Sequence, residues 1–286
     1  MAGQSDVPRP WDDQLESLES DGHVSLGAVK DAIMWLSEIS GNRLMGCIID
    51  VGSGPGYAAC AFAEFFPDAR ITALDSTLPF LESAEQRARS LGVGDRVALC
   101  HGELESVIGD LAFADLIWAS HVIHHLPDPL AALRLLGDRL ADGGLLALAE
   151  GGLPVRVLPG GYGVGRPSMP ARLDAAMSDY WAGEWDLTDQ AVGGGRDWPL
   201  LLADAGLVPG ASRTFVVEHR APLDARVRRY IVDRYEGFRE AVGDALDPED
   251  AAGLDVLLDA RDPRSFQQRP DLFLLTAQTV HTAFRA

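Results

Sequence analysis

The stretch IIDVGSGPG, residues 48–56, joins an apolar run to three glycines at every second position. The run at 47–51 has the length and composition of a buried strand, and residues 57–66 have the pattern of a helix that ends at Pro67. Glycine allows a ligand or another segment to approach the main chain closely. The stretch therefore predicts a strand, a glycine loop and a helix, with a ligand beside the loop.

Strands and helices of this kind alternate along much of the chain. Short apolar runs followed by amphipathic segments of about ten residues predict an α/β, doubly wound, Rossmann-like sheet covered by helices on both faces. Ligands of such sheets bind outside the carboxyl ends of the strands. The predicted strands are 47–51, 70–74, 97–100, 113–118, 144–149, 214–218 and 271–279, and the predicted helices are 31–39, 57–66, 81–91, 130–140, 199–205, 223–242 and 248–259.

The composition changes after Glu150. Residues 151–195 contain ten glycines together with several aromatic side chains, and regular alternation resumes only at 199. We expect an inserted helical cap over the carboxyl edge of the sheet. The predicted division is an N-terminal helical segment at 1–45, a ligand-binding core at 46–150, a cap that binds the substrate at 151–198, and a C-terminal part with two extra helices at 199–286.

Charge and composition argue against several classes of protein. The 286 residues include 24 basic and 43 acidic side chains, and the net charge of −19 would repel a nucleic acid. No apolar run reaches the ~20 residues that span a bilayer, and no signal pattern is visible, which predicts a cytoplasmic protein with no membrane partner. The three cysteines fit neither a disulfide framework nor a zinc site, and no metal is expected.

Acidic residues near the predicted strand ends describe the ligand further. Asp75 closes the second strand 19 residues beyond Gly56, where a carboxylate can accept hydrogen bonds from ribose hydroxyls. The loop reads G-x-G-x-G followed by Tyr57, whereas the dinucleotide fingerprint is G-x-G-x-x-G. Together with Asp50 and Glu103, this pattern favours an adenosine cofactor that carries an ammonium and a sulfonium over one that carries a pyrophosphate. A nicotinamide cofactor is the alternative.

Five motifs in this order resemble those of the class I S-adenosylmethionine-dependent methyltransferases, in particular small-molecule enzymes of the ubiquinone/menaquinone-methyltransferase-like type. They are IIDVGSGPG, ITALDST, CHGELES, DLIWASHVIHHLPDP and LADGGLLALAE, within residues 46–150. RDWPLLLADAGL is similar to a late helix of the family, and Glu103 stands where the family more often has aspartate. The resemblance implies a seven-stranded sheet with an antiparallel last strand, and S-adenosyl-L-methionine as cofactor.

The resemblance also implies roles for individual residues. The glycines would pass beneath the methionine portion and the ribose, Asp50 would hold the loop and the amino group, and Asp75 would bind both ribose hydroxyls. Residues around Glu103 would flank the adenine, and those around Ser120 would lie beneath the sulfonium. The implied cofactor-binding residues are Asp50, Gly52, Ser53, Gly54, Gly56, Asp75, Ser76, Thr77, Gly102, Glu103, Leu104, Ser120 and His121.

Three histidines follow the fourth predicted strand. Histidine titrates near neutral pH, and a hydroxyl acceptor needs a base or an environment that favours its anion. His121, His124 and His125 are therefore the candidate catalytic residues. The alternative is that His124 and His125 only shape the loop, as the HHLPDP segment often does in the resembled family. A metal site is not favoured, because no nearby acid has the spacing of a metal motif.

Large apolar side chains recur every fourth residue in the predicted cap, from Met169 to Trp185, which predicts one face of a helix that starts near residue 168. This face is either core or an apolar wall of the acceptor pocket. The five arginines of the predicted helix 223–242 fit a solvated amphipathic helix, and a homodimer contact is the next option. The candidate substrate-binding residues are Tyr162, Arg166, Met177, Trp181 and Trp185.

The sequence thus predicts a methyltransferase that acts on a small or medium-sized organic acceptor, of the kind found in specialised metabolism. Oxygen is the favoured target atom, while nitrogen, carbon and a peptide acceptor stay open, because the acceptor depends on the cap and not on the cofactor motifs. Two alternatives are a cofactor-binding protein with a cyclase-like or regulatory role, and a nicotinamide-dependent oxidoreductase.

Overall fold

The computed structural model describes residues 11–41, 45–158, 163–184 and 197–285. The strands are β1 (Cys47–Val51), β2 (Arg70–Asp75), β3 (Val97–His101), β4 (Ala114–Ser120), β5 (Leu140–Arg156), β6 (Val208–His219) and β7 (Leu274–Phe284). The helices are α1 (Trp11–Ile39), α2 (Tyr57–Phe65), α3 (Leu78–Ser90), α4 (Leu104–Val107), α5 (Pro129–Arg139), α6 (Met169–Glu184), α7 (Trp198–Asp204), α8 (Ala225–Val242) and α9 (Pro248–Leu258).

The seven strands form one sheet in the order β3-β2-β1-β4-β5-β7-β6. Strands β1 to β5 pair in parallel, and β7 runs antiparallel to both of its neighbours, β5 and β6. The predicted Rossmann-like sheet with an antiparallel last strand is thereby confirmed. The strand order reverses between β1 and β4, and this is the place where doubly wound sheets bind their ligands.

Side-chain alternation along the strands creates a core on each face of the sheet. Ile48 and Trp118 face the larger core, which α1, α2, α3, α6, α8 and α9 complete. Ile49 and Ile117 face the second core, which α4, α5 and α7 complete. Because both faces are buried, the central strands are apolar throughout rather than alternating. Among the described residues, no helix combines the length and hydropathy needed to cross a membrane.

Helix α1 begins at Trp11, whereas the sequence predicted a helix only over 31–39. Its first half is polar and contains Gly22 and Gly27, which lower intrinsic helix propensity. Tertiary contact compensates: a Cβ on Gly22 would lie 2.2 Å from Cδ2 of Tyr57, so only glycine lets α1 approach α2 this closely. The prediction fell short because packing, and not local propensity, determines this part of the helix.

A carboxylate fastens the same part of α1 to the rest of the domain. Glu19 accepts hydrogen bonds from Ser83 Oγ at 2.5 Å and from Tyr57 OH at 3.1 Å, and it forms an ion pair with Arg87. Arg87 also donates from Nε to the carbonyl oxygen of Pro55 at 2.9 Å. Helix α1 is therefore linked through one arginine to the main chain of the glycine loop.

Strand β5 continues to Arg156, past the predicted end at 149. The register with β7 shifts between Ala149 and Gly152, and the glycines at 151 and 152 have φ values of 74° and 148°. This local irregularity bends the strand as a β-bulge does. The first residues of the predicted cap therefore extend the sheet, and α6 forms most of the rest of the cap that is described.

Candidate functional site

The three positions after β1 require glycine for different structural reasons. All three have positive φ values, 62° at Gly52, 51° at Gly54 and 78° at Gly56, which favour glycine strongly. A Cβ on Gly52 would lie 2.2 Å from Val122, and one on Gly56 would lie 2.6 Å from the Cβ of Ala84. A Cβ on Gly54 would meet nothing nearer than 3.9 Å. Gly52 and Gly56 thus allow packing, while Gly54 leaves space for a ligand.

Asp75 is held at the end of β2 by the backbone around it. Its Oδ2 accepts from Gly54 N at 2.8 Å and its Oδ1 from Thr77 N at 2.9 Å. Burial raises the pKa of Asp75, although these backbone hydrogen bonds act to lower it. Each carboxylate oxygen has two lone pairs, so both oxygens retain capacity for a ligand. The result is a fixed pair of acceptors, suited to a diol.

Asp50 has an oxygen without a partner. The side chain is 2% exposed, and one hydrogen bond comes from the backbone of Ala59, near the start of α2. Its Oδ2 has no hydrogen-bond partner among the described residues, and the same holds for the buried polar atoms Ser53 Oγ and Trp118 Nε1. Burial raises the pKa of Asp50 to about 8, and the nearby charge of Asp75 acts in the same direction. A buried, unpaired carboxylate oxygen suits a cationic ligand group.

A cavity of about 910 Å³ lies at the carboxyl edge of the sheet. The strand order divides its lining into two halves. The β1–β3 half is lined from the ends of β1, β2 and β3, and the β5–β7 half from β5, β6, β7 and α8; α1 contributes side chains from Gln14 to Val29. Ser120 and His121, which follow from β4, lie between the two halves.

The implied cofactor-binding residues converge on this cavity. All of them line it except Gly56, which packs against α3, and Thr77, whose N–H holds Asp75. Glu103 lines it as the residue that precedes α4, followed by the buried Leu104. The motifs at the ends of four different strands thus contribute to one continuous surface.

The three candidate catalytic histidines are placed differently. His121 and His125 line the cavity, whereas His124 does not and contacts Oε2 of Glu150 through Nδ1 at 2.7 Å. Glu150 is 2% exposed, and its Oε1 also accepts from the backbone N–H groups of residues 122–123. Burial acts to raise the pKa of Glu150, but His124 and the other hydrogen bonds lower it below its usual value. An ionised Glu150 therefore organises the turn that carries the histidines.

His121 adopts an uncommon backbone conformation at the boundary of the two halves. Its φ is 53°, a region that costs a non-glycine residue about 1–3 kcal/mol. The amide of Gln278 on β7 bridges His121 Nε2 at 2.9 Å and Ser120 Oγ at 3.1 Å. Both side chains are open to the cavity, but the protein around them removes part of their hydration, which lowers the pKa of His121 and lowers the pKa of His125 to about 4. Both imidazoles are therefore neutral at pH 7 and able to accept a proton.

The predicted substrate-binding residues that are described do not line the cavity. Arg166 pairs with Asp247 of the segment before α9 at 3.0 Å. Met177 on α6 is buried, and Trp181 is 45% exposed. Tyr162 and Trp185 fall outside the described residues. The described part of the predicted α6 stripe packs mainly as core, with Met169 and Leu173 in the larger hydrophobic cluster.

The structure adds cavity residues that sequence reasoning did not single out: Asp21, Tyr230, Arg234 and Gln278. Tyr230 and Arg234 are four residues apart on α8, a helix that the sequence analysis interpreted as solvated. Their spacing in the sequence could have indicated that they act together, since residues at i and i+4 share a helix face. For Asp21 and Gln278 no local pattern pointed to a site.

Comparison with known proteins extends the similarity beyond the glycine loop. A family model described as "Methyltransferase domain" matches residues 49–146. The trans-aconitate 2-methyltransferase of Methylobacterium radiotolerans is 32% identical over 233 residues, which cover 77% of this chain and 81% of that protein. The 27-O-demethylrifamycin SV methyltransferase of Amycolatopsis mediterranei is 28% identical over 272 residues, 94% of this chain and 87% of that protein.

Among solved structures, the YcgJ protein of Bacillus subtilis is similar in fold, with a TM-score of 0.52 and 19% sequence identity. The match covers 90% of this chain and 99% of that one. The likeness therefore includes the antiparallel end of the sheet as well as its parallel core.

Proposed function

The chain belongs to the class I S-adenosylmethionine-dependent methyltransferases, and from this premise we propose that it methylates an oxygen atom of a small or medium-sized organic acceptor. S-adenosylmethionine is the methyl donor of this family. The observation that carries its assignment to this cavity is Asp50: the residue lines the cavity, and its buried Oδ2 has no hydrogen-bond partner among the described residues. An ammonium group would stabilise the ionised form of such a buried carboxylate.

The residues present fit the donor. Asp50 would bind its ammonium, Asp75 its ribose hydroxyls, and the chain at Glu103 its adenine, while Gly54 leaves the main chain open beneath it. When bound, S-adenosylmethionine supplies a methyl group that is already activated by a sulfonium leaving group. The protein therefore has to align the acceptor, exclude water and remove the acceptor's proton; alignment alone is worth up to roughly 7–11 kcal/mol.

We assign His121 as the base that removes the proton of the acceptor hydroxyl. It lines the boundary between the two halves, its lowered pKa keeps it neutral, and Gln278 holds one of its ring nitrogens. In the structure the amide nitrogen of Gln278 donates to Nε2, so Nδ1 carries the hydrogen of the neutral ring. A half-turn of the amide would present its oxygen to Nε2, move the hydrogen to that nitrogen and leave Nδ1 to take the proton from a hydroxyl. A positioned base contributes about 10²–10⁴-fold to such a step. An acceptor oxygen suits this arrangement, because a neutral hydroxyl needs a base.

The names of relatives support oxygen as the target. One relative is named for 27-O-demethylrifamycin SV, a name that places the missing methyl group on an oxygen, and it aligns with nearly the whole of this chain. The proposal therefore includes an acceptor from specialised metabolism.

Isothermal titration calorimetry with S-adenosylhomocysteine and, separately, NAD tests the cofactor assignment. We expect S-adenosylhomocysteine to bind and NAD not to bind, and Asp75→Asn to weaken S-adenosylhomocysteine about tenfold, because a carboxylate that accepts from hydroxyls contributes roughly 1.5–3 kcal/mol. Failure of the wild-type protein to bind S-adenosylhomocysteine would refute the proposal.

Release of S-adenosylhomocysteine in the presence of a panel of alcohols, phenols and amines tests the reaction. With an accepted hydroxyl compound, His121→Asn should lower kcat about 10²-fold or more while leaving the affinity for S-adenosylhomocysteine within a few-fold of wild type. Turnover with amines alone would show that oxygen is not the target.

A further inference from the structure

The acceptor has to be recognised in the β5–β7 half, because the residues assigned to the donor occupy the other half. This half combines apolar walls with a few polar side chains, three of which form a connected polar group. Val24 of α1, Val155 of β5 and Val217 of β6 line it, and each is at most 9% exposed. Such a lining matches the general character of small-molecule pockets, which are mostly apolar with a few placed polar groups.

The polar group is a chain of three side chains from α1 and α8. Asp21 is hydrogen-bonded to Tyr230, and Tyr230 is hydrogen-bonded to Arg234. Asp21 is open to the cavity, yet the protein around it removes enough water to raise the pKa of its carboxyl. Burial likewise raises the pKa of Tyr230 to about 12, so the phenol stays protonated and acts as a donor. Asp21 also lies close enough to His121 for a protonated imidazole to lower the pKa of Asp21.

The charged side chains of this half make the binding of an anionic acceptor unfavourable. Arg234 is the one lysine or arginine among the described residues that line the cavity, and its charge is offset by Asp21. Asp75 and Glu103 add acidic side chains in the other half, and Asp50 adds a negative charge there once it is ionised. A carboxylate in the β5–β7 half would lose water and gain no unshared cation, which is costly. Trans-aconitate, for which one relative is named, carries three carboxylates.

We propose that the β5–β7 half binds an uncharged, mainly apolar acceptor that bears a hydroxyl group, and that Asp21, held by Tyr230 and Arg234, accepts a hydrogen bond from the acceptor. This substrate class rests on the proposed function, and it separates the chain from a polycarboxylate methyltransferase despite the sequence similarity. His121 at the boundary and Asp21 within the half then face the acceptor from β4 and from α1.

Two probes with the same naphthalene ring test the proposal: 2-naphthol, which is neutral at pH 7, and 2-naphthoate, which is an anion. Each is titrated into the full-length protein saturated with S-adenosylhomocysteine, and binding is followed by the fluorescence of the naphthalene ring. We expect 2-naphthol to bind at least about tenfold more tightly than 2-naphthoate, because burying an unmatched carboxylate is unfavourable. Trans-aconitate, titrated as a competitor, should not displace 2-naphthol.

The variant Asp21→Asn gives a sharper result than a loss of binding. It should weaken 2-naphthol about fivefold, and it should strengthen 2-naphthoate, because Arg234 loses the charge that offsets it. Asp31→Asn is the matched control: it removes one negative charge from the same helix at an exposed position that does not line the cavity, and it should change neither probe.

Tighter or equal binding of 2-naphthoate by the wild type, failure of both probes to bind, or the same response in the Asp21 and Asp31 variants would each overturn the proposal. A protein that does not bind S-adenosylhomocysteine at all contradicts the proposed function instead. The calorimetric titration that precedes the probe experiment therefore tells the two failures apart.

Discussion

Binding of the donor should release a proton from Asp50. In the ligand-free protein burial raises the pKa of this carboxyl to about 8, so at pH 7 roughly nine in ten molecules hold it protonated. A ligand ammonium next to Oδ2 favours the ionised form and lowers the pKa again. Binding of a ligand that carries this ammonium is then coupled to ionisation of Asp50.

The size of the effect follows from the pKa. Ionising a group one pH unit below its pKa costs about 1.4 kcal/mol, which weakens binding at pH 7 about tenfold relative to a site that is already ionised. Between pH 6 and pH 7 the Kd of S-adenosylhomocysteine should therefore fall almost tenfold, and at pH 7 close to 0.9 proton should be released per ligand bound. Calorimetry in buffers of different ionisation enthalpy measures that number directly.

Asp50→Asn is the informative variant, because the amide oxygen can still accept the hydrogen bond from Ala59. This variant should release no proton when it binds S-adenosylhomocysteine. The wild type should likewise release no proton when it binds 5′-methylthioadenosine, which lacks the ammonium. A raised pKa also means that the folded protein binds more protons than the unfolded chain between about pH 4 and pH 8, so stability falls as pH rises through that range. The variant should accordingly melt at a higher temperature than wild type at pH 8. Release of the same number of protons by the wild type on binding S-adenosylhomocysteine and 5′-methylthioadenosine would refute this reasoning.

Three further changes test the framework around the site. Gly56→Ala should lower the free energy of unfolding by about 1–3 kcal/mol in urea titrations, because its Cβ would meet Ala84 at 2.6 Å with φ at 78°. Gly54→Ala carries the strain of a φ of 51° without a close contact, so it should cost less stability than Gly56→Ala and should weaken S-adenosylhomocysteine. Glu19→Gln should raise the dissociation rate of S-adenosylhomocysteine about two- to fivefold in stopped-flow experiments, because α1 loses its ion pair to Arg87; an unchanged rate would show that α1 does not control release. Glu150→Gln should cost about 1–3 kcal/mol of unfolding free energy and lower turnover more than cofactor affinity.

The cofactor side of the fold could be predicted because its signals are local. An apolar run of five residues with glycines after it specifies strand β1, and the predicted bounds of 47–51 agree with the structure. Asp75 lies at the end of its strand for the same reason. Positive φ values make the glycines visible in sequence, since other residues would be strained there. Seven alternating units then restrict the topology to few choices.

The remaining elements depend on contacts that no sequence window contains. Glu19 and Arg87 are 68 positions apart, yet their ion pair helps to hold the polar first half of α1. The glycines at 151 and 152 suggested the start of a cap. In the structure they lie within strand β5, where the strand bends and continues. The α6 stripe was predicted at the right place, but periodicity alone does not tell whether a stripe faces the core or a ligand.

The two halves of the cavity are therefore specified in different ways, and this difference has a functional consequence. The β1–β3 half is built from the ends of three neighbouring parallel strands, whose positions the sheet fixes together. The β5–β7 half, to which we assign the acceptor, brings together Asp21, Tyr230 and Gln278 from three elements that are remote in sequence. A substitution in α1 or α8 can change the charge that an acceptor meets without moving Asp50 or Asp75. Relatives that share the donor motifs are thus free to differ in acceptor, and the charge around Arg234 is the feature by which this chain should differ from a polycarboxylate methyltransferase.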